Sequence, residues 1–216
     1  MAETGLCAIC HKGKAKRSCP GVRGTICAVC CGKEREVTID CPLDCRYLRE
    51  SRRYEAQKSL PTGEIPFAEI EVNDGFIEEH ESLIGQIGHR LLRYSLENPK
   101  VTDNDLQVAL EKLTRTYQTL ESGLYYESLP EQGSQIGVFR DVKAALDEMR
   151  EKELQKGSVA PLKVSDAIRA LVFLCRLAAV RSNQRPRGRA FIDFLHAVFP
   201  EAASRPEESR LILPGR

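Results

Sequence analysis

The sequence predicts a mainly α-helical protein in which a small cysteine-rich module precedes an all-α helical bundle. Eight of the nine cysteines lie between Cys7 and Cys45. Beyond residue 66, apolar residues recur every three or four positions, as on one face of an amphipathic helix. Prolines, glycines and capping residues separate these periodic segments. A chain of 216 residues has room for such a small domain followed by a larger one.

Composition divides the chain into four segments. We expect residues 1–58 to form the cysteine-rich module with a helix at its C-terminal end. Residues 59–66, which contain two prolines and a glycine, read as a linker. Residues 67–200 are predicted to form the helical bundle, and residues 201–216 a C-terminal tail.

The periodic segments predict five helices in the bundle. In chain order they are a helix capped at Asn73 or Asp74 that ends before Pro99, a helix capped at Thr102, residues 134–156, a helix capped at Ser165, and residues 188–199. The fourth helix is apolar on most sides, so we expect it at the centre of the bundle.

The cysteines have the spacing of metal ligands. Cys7 and Cys10 are two residues apart, as are Cys27 and Cys30, and a C-x-x-C pair can wrap a tight turn around a tetrahedral ion. Residues 1–45 contain few large apolar side chains, so a segment of this size needs a staple to fold. We therefore expect two zinc ions, held by Cys7, Cys10, Cys19, Cys27, Cys30, Cys31, Cys41 and Cys45.

The adjacency of Cys30 and Cys31 suggests how the two ions share these ligands. Neighbouring side chains on an extended backbone point to opposite sides, so these two cysteines suit different ions. One ion would take Cys7, Cys10, Cys27 and Cys30, and the other Cys19, Cys31, Cys41 and Cys45; exchanging Cys30 with Cys31 is the variant. An iron–sulfur cluster is the alternative cofactor, because Cys19 and Cys41 each precede proline, but the run C-x-x-C-x-x-C is absent.

Local signals complete the module. Pro42 suits the first position of a helix, which makes Cys41 its cap and predicts a helix over residues 42–59. We expect residues 24–26 to pair with residues 36–39 in a two-stranded ribbon. Arg46, Arg49 and Arg53 form one stripe of this helix, which is either a solvated face or a nucleic-acid contact.

The cysteine pattern resembles the cross-brace zinc fingers of the HIT and MYND type, in which a C-x-x-C opens the module and alternating pairs hold two ions. Residues 30–45 are also similar to a motif of uncharacterised bacterial proteins, C-C-G-x-x-R-E-x-x-I-x-C-P-x-D-C. The finger resemblance implies a protein-interaction module; the bacterial motif brings no activity with it.

The charge is uneven along the chain. Residues 61–157 carry 10 basic and 19 acidic side chains, whereas residues 158–216 carry 10 and 5. Arg187 and Arg189 begin a predicted helix, where the helix dipole opposes cations. Arg185, Arg187 and Arg189 are therefore candidate anion-binding residues; the alternative is internal pairing with the acidic middle segment.

These features favour a zinc-binding interaction or adaptor protein with a protein partner. The alternative is a nucleic-acid-associated regulator that uses its arginine-rich surfaces. An enzymatic function is less favoured, because Walker, G-x-G-x-x-G and G-x-S-x-G motifs are absent and no catalytic residue can be named. Without an apolar run of about 20 residues or a signal peptide, we expect a cytoplasmic protein that does not enter membranes. The sequence predicts no oligomeric state.

Overall fold

The apolar periodicity produces helices along most of the chain. The structure, a computed structural model, describes residues 5–55, 64–155 and 162–203. The secondary structure elements of this part are β1 (Arg17–Cys19), β2 (Gly24–Ile26), α1 (Ala28–Glu34), α2 (Arg46–Glu55), α3 (Asp74–Glu79), α4 (Glu81–Glu97), α5 (Asp103–Glu121), α6 (Gly133–Gln155), α7 (Val164–Arg181), α8 (Ala190–Val198) and a 3-10 turn at Pro200–Ala203.

The ribbon of the cysteine-rich module has a different partner strand from the predicted one. β2 pairs antiparallel with β1, so that Cys19 lies opposite Gly24. Residues 36–39 are not a strand, because the Glu34 carbonyl at the end of α1 accepts the amide N–H groups of residues 37, 38 and 39 at 3.1–3.2 Å. These bonds turn the chain back on itself, and Glu36 takes a left-handed φ of 53°.

The helix after the last cysteine pair begins later than predicted. Residues 42–44 form a turn in which the Cys45 N–H donates to the Pro42 carbonyl at 3.0 Å. The first helical bond runs from the Arg49 N–H to the Cys45 carbonyl, also at 3.0 Å. Cys41 is therefore not the cap of α2. The predicted end of this helix at residue 59 lies outside the described residues.

Two predicted caps of the bundle are confirmed and one is wrong. Asn73 accepts the Phe76 N–H at 2.9 Å, and Thr102 forms a reciprocal capping box with Asp105. The helix that Asn73 caps breaks at His80, giving α3 and α4 instead of one helix. α7 begins at Val164, one residue before the predicted cap Ser165, whose hydroxyl contacts Asp166.

Two hydrophobic clusters lie in different parts of the sequence. The small cluster contains Ile26, Ile39 and four cysteines of the module. The large one is built by the helices, and α7 is central to it, as predicted: it packs against α4, α5 and α8. None of the helices in the described ranges is long and apolar enough to cross a membrane.

Candidate metal centre

The loop from Cys7 to Gly13 presents two sulfur atoms from one short turn. The Cys7 N–H donates to the Gly13 carbonyl at 2.8 Å, and the His11 N–H donates to the Cys7 carbonyl at the same distance. The turn directs the Gly13 N–H to Cys10 Sγ at 3.4 Å. His11 takes a left-handed φ of 53° to complete it.

The second pair lies at the start of α1. Cys27 is the N-cap residue, and its sulfur accepts the Cys30 N–H at 3.4 Å. The helix also places Cys30 one turn after Cys27, so both side chains reach the same point.

The two pairs meet. Within the described residues, Cys7, Cys10, Cys27 and Cys30 are the one group whose candidate ligand atoms all lie within 4.8 Å of one another. A tetrahedral ion with Zn–S bonds of 2.3 Å would hold its sulfurs about 3.8 Å apart. The four cysteines can therefore hold one metal ion with small side-chain adjustments, and Cys30 rather than Cys31 completes the group.

The four thiols do not ionise equally by themselves. Burial raises the pKa of Cys7, but the backbone N–H groups around it outweigh burial and lower the pKa to about 6. The neighbouring Cys27 sulfur and burial raise the pKa of Cys30 to about 12. A divalent cation would offset the repulsion between the sulfurs and draw all four into the thiolate form.

The other four cysteines line one small cavity. Cys19 and Cys31 are buried, and Cys41 and Cys45 are half-buried. Burial raises the pKa of Cys41 to about 11, and Glu36, Cys45 and Cys19 add to the shift through their negative charge. These sulfurs do not form a group within 4.8 Å, so the structure shows one clustered site and the second remains a prediction.

Cations surround this second group. The buried guanidinium of Arg35 donates to Cys31 Sγ at 3.7 Å. Arg17 and Arg46 both lie over the ring of Tyr47, which lines the same cavity.

The candidate anion-binding arginines contact the cysteine-rich module. Arg185 pairs with Glu55 at 3.1 Å, and Arg187 pairs with Asp40 at 3.0 Å. Arg189 donates to the Ser95 carbonyl at 2.8 Å. The carboxylates that pair with Arg185 and Arg187 belong to the module and not to the acidic middle segment. The expected internal pairing with that segment is therefore wrong for these two arginines. An external anion for these arginines remains a prediction.

The anion that the dipole of α8 requires comes from within the chain. The Asp103 carboxylate accepts the Phe191 and Ile192 N–H groups at 3.0 and 3.2 Å. Asp103 is 2% exposed, and burial raises its pKa to about 6 even though these N–H groups lower it. A negative charge at a helix N-terminus is favourable, so this carboxylate balances the first turn.

Sequence reasoning missed Glu36, a buried residue at the contact between the module and the bundle. Its buried carboxylate accepts from Arg52 at 2.6 Å, from the Asn183 amide at 2.7 Å and from the Arg189 N–H at 3.0 Å. The Glu36 carbonyl also accepts the Arg187 N–H at 2.8 Å. The only sequence feature that singled out Glu36 was its position in the motif of residues 30–45.

Comparison with protein-family models, with curated proteins and with solved structures finds no match to this chain.

Proposed function

We propose that this protein is a zinc-binding interaction protein, in which two structural zinc ions hold the cysteine-rich module and the helical bundle presents the partner surface. The observation that carries the proposal is the convergence of Cys7, Cys10, Cys27 and Cys30 within 4.8 Å. Four thiolates at that spacing suit a single tetrahedral ion, whereas an iron–sulfur cluster distributes its cysteines over several iron atoms.

The second zinc ion would lie among Cys19, Cys31, Cys41 and Cys45. Four thiolates and one Zn²⁺ carry a net charge of about −2, and Arg35 at Cys31 is placed to offset part of it. A closed set of four cysteine ligands is typical of a structural site, because a catalytic zinc keeps one position open.

The metal sites connect to the bundle through Glu36. Glu36 follows α1, which carries Cys30 and Cys31. The Glu36 carboxylate accepts hydrogen bonds from the Asn183 amide and the Arg189 N–H of the helical part. Metal binding would therefore fix both the module and its orientation on the bundle. The cysteine spacing in the sequence, which resembles that of HIT and MYND fingers, favours an interaction role.

An exposed aromatic loop supports a partner surface on the bundle. Leu124, Tyr125 and Tyr126 are 67%, 71% and 68% exposed. The Thr119 hydroxyl donates to the Tyr126 carbonyl at 3.0 Å, and the Thr116 hydroxyl accepts the Ser128 N–H at 2.9 Å, so the loop is fixed to α5. Aromatic side chains on a pre-ordered loop are typical anchors of protein interfaces.

Metal analysis of the purified full chain tests the cofactor. We expect two zinc ions per chain, falling to one when Cys7 and Cys10 are both replaced by serine. Stoichiometric iron, or a single ion in the wild type, would contradict the assignment.

Affinity purification with matched variants tests the partner surface. We expect Y125S/Y126S to lose a protein that the wild type recovers. Y54S is the control, because Tyr54 lies on α2 and is also 71% exposed. Equal recovery by all three proteins would exclude the loop as the partner surface.

A further inference from the structure

A groove runs between the cysteine-rich module and the helical bundle. Residues 40–53 line one side, and residues 96–102 and 187–197 line the other. Its volume is about 890 Å³, which is within the range of small-molecule sites. We call it the junction groove.

The junction groove brings together two basic segments that are far apart in the sequence. Arg49 and Arg53 come from the stripe on α2, and Arg187 and Arg189 from the segment before α8. Six basic and three acidic side chains line the groove. Two of those acids are already paired, Asp40 with Arg187 and Asp193 with Arg52.

Three cations of the groove have no internal partner. Arg49, Arg53 and Lys100 are exposed and make no side-chain hydrogen bond or ion pair to any residue that the structure describes. One acid of the lining, Asp44, is likewise unpaired. The unpaired charge at the mouth of the groove is therefore positive.

Two further donors lie deeper. The Nε atoms of Arg52 and Arg189 are buried, and neither has an acceptor among the described residues. Buried N–H groups without an acceptor are rare in folded proteins. Both belong to residues that line the groove, but the two Nε atoms are closed to solvent, so the exposed cations are the groups that a ligand in the groove would contact.

We propose that the junction groove binds a small ligand through a phosphate group. Guanidinium and ammonium groups converging on one cavity match the several oxygens of a phosphate. Leu43, Leu96 and Pro99 add an apolar wall that suits the organic part of a phosphomonoester. The N-terminus of α8 is not part of the site, because Asp103 already takes its N–H groups.

A small ligand fits these contacts better than a nucleic acid strand. A strand needs a continuous track of free cations. Arg46 lies over Tyr47, and Arg185 pairs with Glu55, so the basic surface on either side of the groove is engaged. Arg49, Arg53 and Lys100 line one cavity, whereas other unpaired cations, such as Arg140, lie apart from it.

Calorimetric titration of the zinc-loaded full chain at low salt tests the proposal. The probes are inorganic phosphate, adenosine monophosphate and, as the uncharged control, adenosine. We expect phosphate or the monophosphate to bind and adenosine not to bind. Adenosine monophosphate binding tighter than phosphate would show that the apolar wall takes part, and equal binding would show a free-phosphate site.

Matched variants locate the binding. R49Q/K100Q removes two exposed, unpaired groove cations and should weaken phosphate-probe binding about tenfold or more. R140Q changes an exposed arginine on α6 that lies outside the groove and has no side-chain partner among the described residues. It should change phosphate-probe binding less than about twofold. Equal effects of both variants, or no binding of either phosphate probe, would overturn the proposal.

A single-stranded oligonucleotide of about 20 nucleotides tests the other source of a phosphate group, a nucleic acid. Displacement of the strand by adenosine monophosphate supports a small-ligand site. If neither phosphate probe binds, and the strand binds the wild type but not R49Q/K100Q, the groove belongs to nucleic acid and the small-ligand assignment is overturned. None of these outcomes depends on the zinc count, so failure here leaves the metal proposal untouched.

Discussion

Cys7 and Cys175 are both fully buried, with 0% exposure, but they lie in two regions that hold themselves together differently. Cys7 belongs to the small cluster, in which four of the six buried residues are cysteines. Cys175 lies among aliphatic side chains of the large helical cluster. Backbone N–H groups lower the pKa of Cys7 to about 6, whereas burial raises the pKa of Cys175 to about 12.

The difference shows that burial alone does not make a cysteine a metal ligand. The loop around Cys7 supplies donors and three further sulfurs within 4.8 Å. Among the described residues, the Cys175 sulfur has one hydrogen-bonding contact, the Thr114 hydroxyl at 3.9 Å. A small apolar core leaves the module dependent on its cysteines, whereas the helical part is stabilised by its apolar contacts.

The largest expected effect comes from breaking the module at its cysteines. Cys7→Ser removes one ligand of the clustered site, and a structural zinc site contributes about 10 kcal/mol or more to folding. We expect the clustered site to lose its metal ion and the loop from Cys7 to Gly13 to unfold, as followed by metal analysis and by NMR of the module's amides.

Cys175→Ser is the matched control, because it makes the same chemical change at an equally buried position. It should cost about 1–3 kcal/mol for burying a hydroxyl and leave the metal content unchanged. Full metal retention by Cys7→Ser would show that Cys7 is not a ligand.

The next largest effect is expected at the junction between the two regions. Glu36→Gln removes the charge that Arg52 contacts at 2.6 Å in a buried position. Breaking a buried ion pair from one side costs about 3–5 kcal/mol. Urea denaturation at fixed zinc concentration measures the change.

Glu34→Gln is its control, because the Glu34 side chain makes an exposed bond to Thr38. It should change the free energy of unfolding by less than about 1 kcal/mol. Equal effects of the two substitutions would mean that Glu36 does not anchor the module.

Local signals in the sequence predicted local features well. The caps at Asn73 and Thr102 depend on contacts within three residues, and the structure contains both. The C-x-x-C spacing of Cys7 and Cys27 likewise predicted which sulfurs lie together. Each of these features is decided by a few neighbouring residues.

Features decided by distant residues could not be predicted. The dipole of α8 indicated that an anion was needed, but Asp103 is 88 positions from the Phe191 N–H that it accepts. The wrong prediction of the ribbon partner has a similar origin. Residues 36–39 have the composition of a strand, but hydrogen bonds to the Glu34 carbonyl and the distant contacts of Glu36 hold them in a turn.

A core substitution in the bundle should destabilise the helices and leave the metal content unchanged, whereas Cys7→Ser should remove a metal ion. Leu171 is fully buried on α7, and Leu171→Ala should cost about 2–5 kcal/mol through lost contacts and a cavity. Thermal denaturation measures the loss, and metal analysis should still find the wild-type content. Loss of metal in this variant would show that the module cannot hold its ions without an intact bundle.

The smallest effect is a pH dependence that belongs to the bundle alone. The pKa of Asp103 is about 6 in the folded protein and about 3.9 when unfolded. A raised folded-state pKa favours folding fully below the unfolded pKa, and this benefit is lost as the pH rises through the folded pKa. Wild type should therefore lose up to about 3 kcal/mol relative to Asp103→Asn between pH 4 and pH 7.

The comparison with Asp103→Asn removes the contribution of the cysteines, because both proteins carry the same metal ligands and lose metal alike at low pH. Denaturant titrations of the two proteins at each pH give the difference in their free energies of unfolding. A difference that stays constant from pH 4 to pH 7 would mean that Asp103 keeps its ordinary pKa. The N–H groups of Phe191 and Ile192 would then outweigh burial, as the N–H groups around Cys7 do in the module.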